Sequence, residues 1–286
     1  MKISVIIPVY NDLERLQTCV RSILGNNASD IEIIIVDNAS DEPVHLPMMV
    51  DNIRIFHEPR RGSYAARNTG IINASGDILG FTDSDCIVDQ YWIENAVTAL
   101  QSNPDAGFIG GRIRMFSDSE NHRNFIEKYE LYFPLNQEAL VKFANFAATA
   151  NMWTYKHVME NVGLFRSDLL SSGDKEWGHR VVSAGYKGHY NEDVIVNHPV
   201  RANRIDFRNR QLRIGAGFYD ISEDAADLMR NLYLLIIIGK RRLGILFFRT
   251  KLPVKDKIGL IFVIILERVY ALNGFLARLI TRKQYR

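Results

Sequence analysis

Two acids one residue apart, Asp83 and Asp85 in Phe81-Thr82-Asp83-Ser84-Asp85-Cys86, are the residues best placed to do chemistry. They follow an apolar run, Ile78-Leu79-Gly80-Phe81, that reads as a short buried strand. Alternation along that strand would put both carboxylates on one side. Paired hard oxygen ligands suit Mg2+ or Mn2+, and such a pair commonly shares its ion with substrate phosphates. An acidic turn bent at Ser84 would read the same in isolation, so the surrounding elements decide. A second polar stretch, Ser171-Ser172-Gly173-Asp174-Lys175-Glu176-Trp177-Gly178-His179-Arg180, opens a helix. Asp174 stands at capping-box spacing from Ser171, and Glu176 stands four residues before Arg180, so each acid has a structural use as well as a chemical one.

The elements that must position these acids read in order. Ile3 to Ile7 is a buried strand ended by Pro8. Asn11 can cap a helix with Leu13, Leu16, Val20, Ile23 and Leu24 on its inner face, closed by Gly25. Ile31 to Val36 is a second strand, followed by the polar loop Asp37 to Asp41; Ile53 to Phe56 is a third. Gly62 to Ile72 is helical, and Gly76-Asp77 turns into the strand before Asp83. This order predicts an α/β fold with a parallel sheet covered on both faces. Ligands bind beyond the carboxyl ends of such strands, where Pro8 to Tyr10, Asp37 to Asp41 and Asp83 to Asp85 fall. No Gly-x-Gly-x-x-Gly follows the first strand, which argues against a dinucleotide cofactor. Further on, a helix from Trp92 packs on the sheet, Ala106 to Met115 is a strand, Phe116 to Leu140 is helix and loop, and Asn145 to Trp153 and Val194 to Val196 are strands. Gly215-Ala216-Gly217 is expected to loosen the chain.

The chain's 286 residues, 47% of them hydrophobic, suffice for one large α/β domain or two smaller ones. Its net charge of +2 is unevenly spread: from Arg230 to Arg286 there are 13 Lys/Arg against 2 Asp/Glu, which makes a basic tail on an acidic body. Cys19 and Cys86 are the only cysteines, so no disulfide framework is expected and a reducing compartment fits. Met1-Lys2 leads directly into strand-like sequence, so no signal peptide is expected.

Four motifs in this order, Pro8-Val9-Tyr10-Asn11, Val36-Asp37-Asn38-Ala39-Ser40-Asp41, Ala66-Arg67-Asn68-x-Gly70 and Phe81-Thr82-Asp83-Ser84-Asp85, resemble the family 2 glycosyltransferases. The resemblance runs to about Gly217. It implies the GT-A fold, a Rossmann-like, mostly parallel central sheet flanked by helices that binds a nucleotide sugar. By that resemblance Pro8 and Tyr10 line the base pocket and Asp37 accepts a hydrogen bond from the base. Arg67 faces the diphosphate, a task suited to a forked guanidinium. Asp83 holds the ribose or the metal, and Asp85 binds the ion. The family's catalytic base commonly follows a Glu, as Glu-Asp; here the pair is Gly173-Asp174, similar to a branch with a Gly-Asp-x-Glu-Trp pattern. The base is therefore Asp174 or Glu176, with Asp174 favoured, and Trp177 is a candidate platform for an acceptor sugar. His198, in Asn197-His198-Pro199, would be a third metal ligand or touch the diphosphate, ahead of His179 and His189. Arg201, Arg204, Arg208, Arg210 and Arg213 would be divided between diphosphate or membrane and water.

The implied activity is inverting, metal-assisted transfer of a hexosyl group from a nucleotide diphosphate sugar, UDP-linked by expectation, to a glycan or lipid-linked acceptor in cell-surface polysaccharide or glycoconjugate synthesis. Mn2+ or Mg2+ is the implied cofactor. Residues 1–115 would form the nucleotide-sugar half, 116–228 the acceptor and base half, and 229–286 a basic amphipathic helical tail. In the tail the longest charge-free run is nine residues, and a span from Ile258 to Ala277 would bury Glu267 and Arg268. Interfacial helices on an anionic membrane surface are expected instead, which places the protein on the cytoplasmic, inner face of the cell membrane, as a homo-oligomer or alone and without nucleic acid. A nucleotidyltransferase is the rival enzyme, but Pro8 to Asp12 lacks its glycine-rich, lysine-bearing loop. A non-catalytic sugar-nucleotide-binding membrane scaffold is the rival of another class.

Overall fold

The β-branched runs become strands. In chain order the elements are β1 (Ile3–Val9), α1 (Leu13–Leu24), β2 (Ile31–Asp37), β3 (Ile53–His57), α2 (Ser63–Asn73), β4 (Ile78–Thr82), β5 (Ile87–Val88), α3 (Trp92–Gln101) and β6 (Ala106–Phe116). There follow α4 (Phe125–Tyr132), α5 (Gln137–Ala144), β7 (Asn151–Tyr155), α6 (Lys156–Val162), α7 (Gly173–Ser183), β8 (Lys187–Pro199), α8 (Arg204–Asp220), α9 (Ala225–Phe248) and α10 (Val254–Thr281). This computed structural model describes residues 1–26, 30–46, 51–117, 123–248 and 251–281. Parts of the expected 116–140 segment and of the tail, residues 118–122, 249–250 and 282–286, lie outside the described residues.

The strands form one sheet in the order β3-β2-β1-β4-β7-β6-β8-β5. β3, β2, β1 and β4 run parallel, which sets Val9, Asp37 and His57 side by side at one edge. β7 is antiparallel to β4 and to β6, and β5 is antiparallel to β8. Pro8 is tolerated in a central strand because β1 pairs with β4 only from Ile3 to Ile6, so no donor is missed on that side. Gly80 makes room for Trp153: a Cβ there would lie 2.7 Å from the indole. Trp92 packs edge-on against Trp153 at 4.5 Å and donates its indole N–H to Asn151, both rings fully buried.

Several expectations need correction. Asp12, not Asn11, precedes α1, and Leu13 is exposed rather than on the inner face. β7 begins at Asn151, because Asn145 takes a left-handed conformation (φ 56°) at the end of α5. β8 is 13 residues long, far beyond Val194 to Val196, and β5 was not anticipated.

The chain divides into two compact units. Unit 1 comprises residues 1–114, 136–168 and 173–198, and unit 2 comprises 115–135, 169–172 and 199–286. Unit 2 is helical. Gly215 does not loosen α8; it lets the backbones of α8 and α10 touch, since a Cβ there would lie 1.8 Å from the Ala271 carbonyl oxygen. Tyr129, Phe207, Leu246, Leu260, Val263 and Ile264 form one apolar core. α10 is long and apolar enough to cross a membrane by length and composition, with 39% of its most apolar window buried inside the fold. Its outer face leaves Ile258, Phe262, Ile265, Val269, Leu276 and Ile280 exposed.

Candidate active site

Pro8, Tyr10, Asp37, Arg67, Asp83, Asp85, Asp174, Glu176, Trp177 and His198 lie in unit 1, whereas Arg201, Arg204, Arg208, Arg210 and Arg213 lie in unit 2. The loops after β1 and β2 are bound to each other. Asn11, at φ 50°, donates its main-chain N–H to Ser40 Oγ (2.9 Å), and its side chain pairs reciprocally with Asp41 at 2.7 and 2.8 Å. Pro8 is buried and Tyr10 exposed beside this junction. Asp37 is buried; it accepts Ser40 N–H at 3.0 Å and lies 3.5 Å from His57 Nδ1. Asn38 ties the segment after β3 down, donating to the Glu58 and Arg60 carbonyls and accepting the Gly62 N–H (2.8 Å) just before α2. That anchor fixes where α2 starts, and so where Arg67 points.

β4 ends at Thr82, so strand alternation does not govern residues 83–85. The two acids meet different partners. Asp83 accepts a 2.5 Å hydrogen bond from Arg67 Nη2. Arg67 is buried at 3% side-chain exposure, with its guanidinium 5.6 Å from the Tyr64 ring centre and its Nε without a hydrogen bond among the described residues. A buried guanidinium with donor capacity left over suits an anionic ligand. Asp85 lies 3.7 Å from Arg15 and 3.8 Å from His198 Nε2. Ligand atoms of Asp85, Cys86 and His198 all fall within 4.8 Å of one another. Pairing of β5 with β8, Ile87 opposite Asn197, is what brings His198 to Asp85.

This set fits a hard divalent ion. Burial pushes the Cys86 thiol up, with the charges of Asp83 and Asp85 adding to the shift, and a soft sulfur is the donor of the three least suited to a hard cation. Carboxylate and imidazole remain, a donor pair suited to Mn2+ or Mg2+ with the remaining positions open to substrate oxygens. Asp83 belongs to the Arg67 pair and not to this cluster.

Asp174 sits in the first turn of α7. Its Oδ1 accepts the Tyr64 hydroxyl at 3.1 Å and the Lys175 N–H at 2.9 Å. Burial raises its pKa, opposed by those two hydrogen bonds and by Arg67. Gly173 explains the departure from the Glu-Asp pattern: a Cβ there would lie 2.8 Å from the Tyr64 ring, so the tyrosine occupies the space a side chain would need. Glu176 is committed elsewhere. It pairs with Arg180 through both oxygens (2.7 and 3.1 Å), and Arg180 in turn holds the Val162 and Leu164 carbonyls. Trp177 is fully buried against Phe165 and Phe108 and donates to the Gly163 carbonyl. It offers no face to an acceptor, which corrects the platform expectation. His189 bonds Asp105 and His179 the Ala144 carbonyl. Tyr64 was missed by sequence reading; its partner stands 110 residues away, and no local spacing signals such a pair.

Residues 4–163 match the family model described as glycosyl transferase family 2. The chain is 34% identical to "Glycosyltransferase AglE" of Haloferax volcanii over 223 residues, covering 75% of this chain and 72% of that one. It is 27% identical to the pre-mycofactocin glycosyltransferase of Mycobacterium tuberculosis over 74% of this chain and 46% of the relative. Among solved structures, the mannosyltransferase PcManGT of Pyrobaculum calidifontis, in complex with GDP-Man and Mn2+, superposes with a TM-score of 0.64 at 17% identity, over 99% of this chain and 88% of that one. The sheet flanked by helices is thus the GT-A fold, with an apolar C-terminal helix.

Proposed function

Because the chain belongs to glycosyl transferase family 2 and is a glycosyltransferase, we propose that it performs inverting transfer of a hexosyl group from a nucleoside diphosphate sugar to a hydroxyl of a glycan or lipid-linked acceptor. One observation carries this reading. Asp174, Tyr64, Arg67 and Asp83 form a continuous series of contacts inside unit 1, joining the candidate base to the donor-side acids.

Asp37 is the acceptor for the nucleobase, beside Pro8 and Tyr10. Arg67 turns its spare donor capacity to the diphosphate. Asp85 and His198 hold Mn2+ or Mg2+, with Asp83 steadied by Arg67; when bound, the ion offsets charge on the departing diphosphate. Asp174 accepts the proton of the acceptor hydroxyl as that oxygen bonds to the anomeric carbon and the bond from that carbon to the diphosphate oxygen breaks. The raised basicity that burial gives Asp174 suits this step. One displacement needs no enzyme nucleophile and inverts the anomeric centre.

The nucleotide is open between UDP and GDP. The PcManGT complex contains GDP-Man, which supports GDP-mannose as much as the UDP-sugar expected from sequence. Residues 1–115 serve the donor, 116–228 the acceptor and the base while lending His198 to the ion, and 229–286 the membrane. The exposed apolar residues of α10, with basic residues such as Lys251 and Lys255 at its start, support peripheral binding to an anionic inner membrane face. Sedimentation with anionic vesicles that weakens as salt rises is expected; binding equal to that of neutral vesicles would count against it.

The direct test is a binding panel of UDP- and GDP-sugars with manganese present, followed by proton NMR of the product anomer. Donor binding with product inverted at the anomeric carbon supports the proposal. Retained configuration rejects it, and pyrophosphate release would point to a nucleotidyltransferase.

A further inference from the structure

Cys86 carries a buried sulfur that the transfer chemistry does not use, yet the fold builds it into the ion cluster. Consecutive residues on a strand point to opposite faces. Residues 84 and 85 instead form a turn, across which the Cys86 N–H bonds the Asp83 carbonyl at 3.1 Å, so Asp85 and Cys86 can face one point. A single oxygen is shared between them and the histidine. Asp85 Oδ1 lies 3.8 Å from His198 Nε2 and 3.9 Å from Cys86 Sγ, and the three ligand atoms all fall within 4.8 Å of one another. The other oxygen, Oδ2, faces Arg15 at 3.7 Å.

This is a mixed set of oxygen, nitrogen and sulfur. A tetrahedral Zn2+ has bonds of about 2.0 to 2.3 Å, which sets its ligand atoms roughly 3.3 to 3.6 Å apart. The two separations made by Oδ1 exceed that by about half an ångström or less, so small side-chain rotations would close them. A hard ion leaves the sulfur aside, whereas a borderline or soft ion takes it. Binding breaks the S–H bond: the electron pair goes to the metal and the proton to solvent.

We propose that Asp85, Cys86 and His198 form a tetrahedral site for a thiophilic divalent cation, Zn2+, which competes with the Mn2+ or Mg2+ of the transfer reaction. Three protein ligands leave a tetrahedral ion one open position. It cannot then take two oxygens of a donor diphosphate, so Zn2+ holds the enzyme inactive. The inhibition rests on the transfer reading above; the site itself does not.

Cd2+ reports the site directly, because a cadmium–thiolate bond adds an ultraviolet charge-transfer band whether or not the protein turns over. The full chain, stripped with chelator, is titrated with Cd2+. The band should appear and saturate, Zn2+ should displace it, and excess Mg2+ should not. Cys86→Ser should lose the band, and Cys19→Ser, altered at the other buried thiol, should keep it. His198→Gln should keep the band but weaken Cd2+ by about tenfold or more, since loss of a group merely bonded to a ligand already costs that much. This variant carries the test if Cys86→Ser does not fold. No band in wild type, a band that survives Cys86→Ser, or unchanged Cd2+ affinity in His198→Gln would overturn the site. In manganese-supported turnover, the Zn2+ concentration for half-inhibition, scaled to each variant's own uninhibited rate, should rise about tenfold in Cys86→Ser. Equal inhibition overturns the inhibitory role. A band without turnover under any ion upholds the site and sinks the transfer reading instead.

Discussion

At the scale of single residues the account turns on which acid is the base. Asp174 and Glu176 were indistinguishable in sequence beyond the family pattern, but their surroundings differ. Glu176 is tied to Arg180 through both oxygens, whereas Asp174 accepts from the Tyr64 hydroxyl and the Lys175 N–H and is raised in basicity by burial. Asp174→Asn should lower kcat by about 10^2- to 10^4-fold while leaving donor affinity within about twofold. Activity should fall as pH drops through the raised pKa of Asp174, because the base must be ionised. Tyr64 stabilises the ionised form, so Tyr64→Phe should move the acid limb of the kcat/KM profile to higher pH; an unmoved limb would separate Tyr64 from the base. The chemistry-bearing acids were legible because their types and order are local. Tyr64 and the burial of Trp177 were not, since both depend on contacts made across long sequence separations.

At the scale of elements, the start of α7 is fitted to α2. Gly173→Glu, which would restore the commoner acid pair, should reduce activity because its Cβ meets the Tyr64 ring and displaces either the ring or Asp174. Steady-state turnover at fixed pH measures this, and a gain in activity would contradict it. At the amino ends of the strands, Glu32 of β2 accepts from Ser4 of β1 (2.5 Å), from Ser75 and from Arg54 of β3. Burial alone would raise its pKa, but these bonds outweigh it and lower the value to about 2. Its folded pKa thus lies below the unfolded value of 4.5, so its stabilisation is present above that pH and lost as pH falls toward 2. Glu32→Gln should cost on the order of 3 kcal/mol at pH 7 by urea denaturation, with the gap to wild type narrowing below pH 4.5 and closing only near pH 2. The parallel strands and their helices were readable from apolar runs and breakers. β5 and most of β8 were not, because two residues give no period and β8 is polar over much of its length, yet their pairing delivers His198 to Asp85.

At the scale of the whole molecule, charge pattern alone does not decide how the tail is used, since Val254–Thr281 is long and apolar enough to cross a membrane. Glu267 and Arg268 interrupt the apolar run, but within unit 2 they pair with each other, Glu267 also accepts from Arg242, and Arg268 also donates to the Leu235 carbonyl. Charge pattern cannot show whether a polar pair inside an apolar helix faces lipid, water or another helix. The central claim lies in unit 1: a divalent ion at Asp85 and His198 allows the diphosphate to leave. Release of nucleoside diphosphate by the full chain, measured with manganese or with chelator for wild type and Asp85→Ala, tests it most directly. The account predicts chelator-sensitive turnover in wild type and a loss of about 100-fold or more in Asp85→Ala; turnover indifferent to both chelator and the substitution would contradict it.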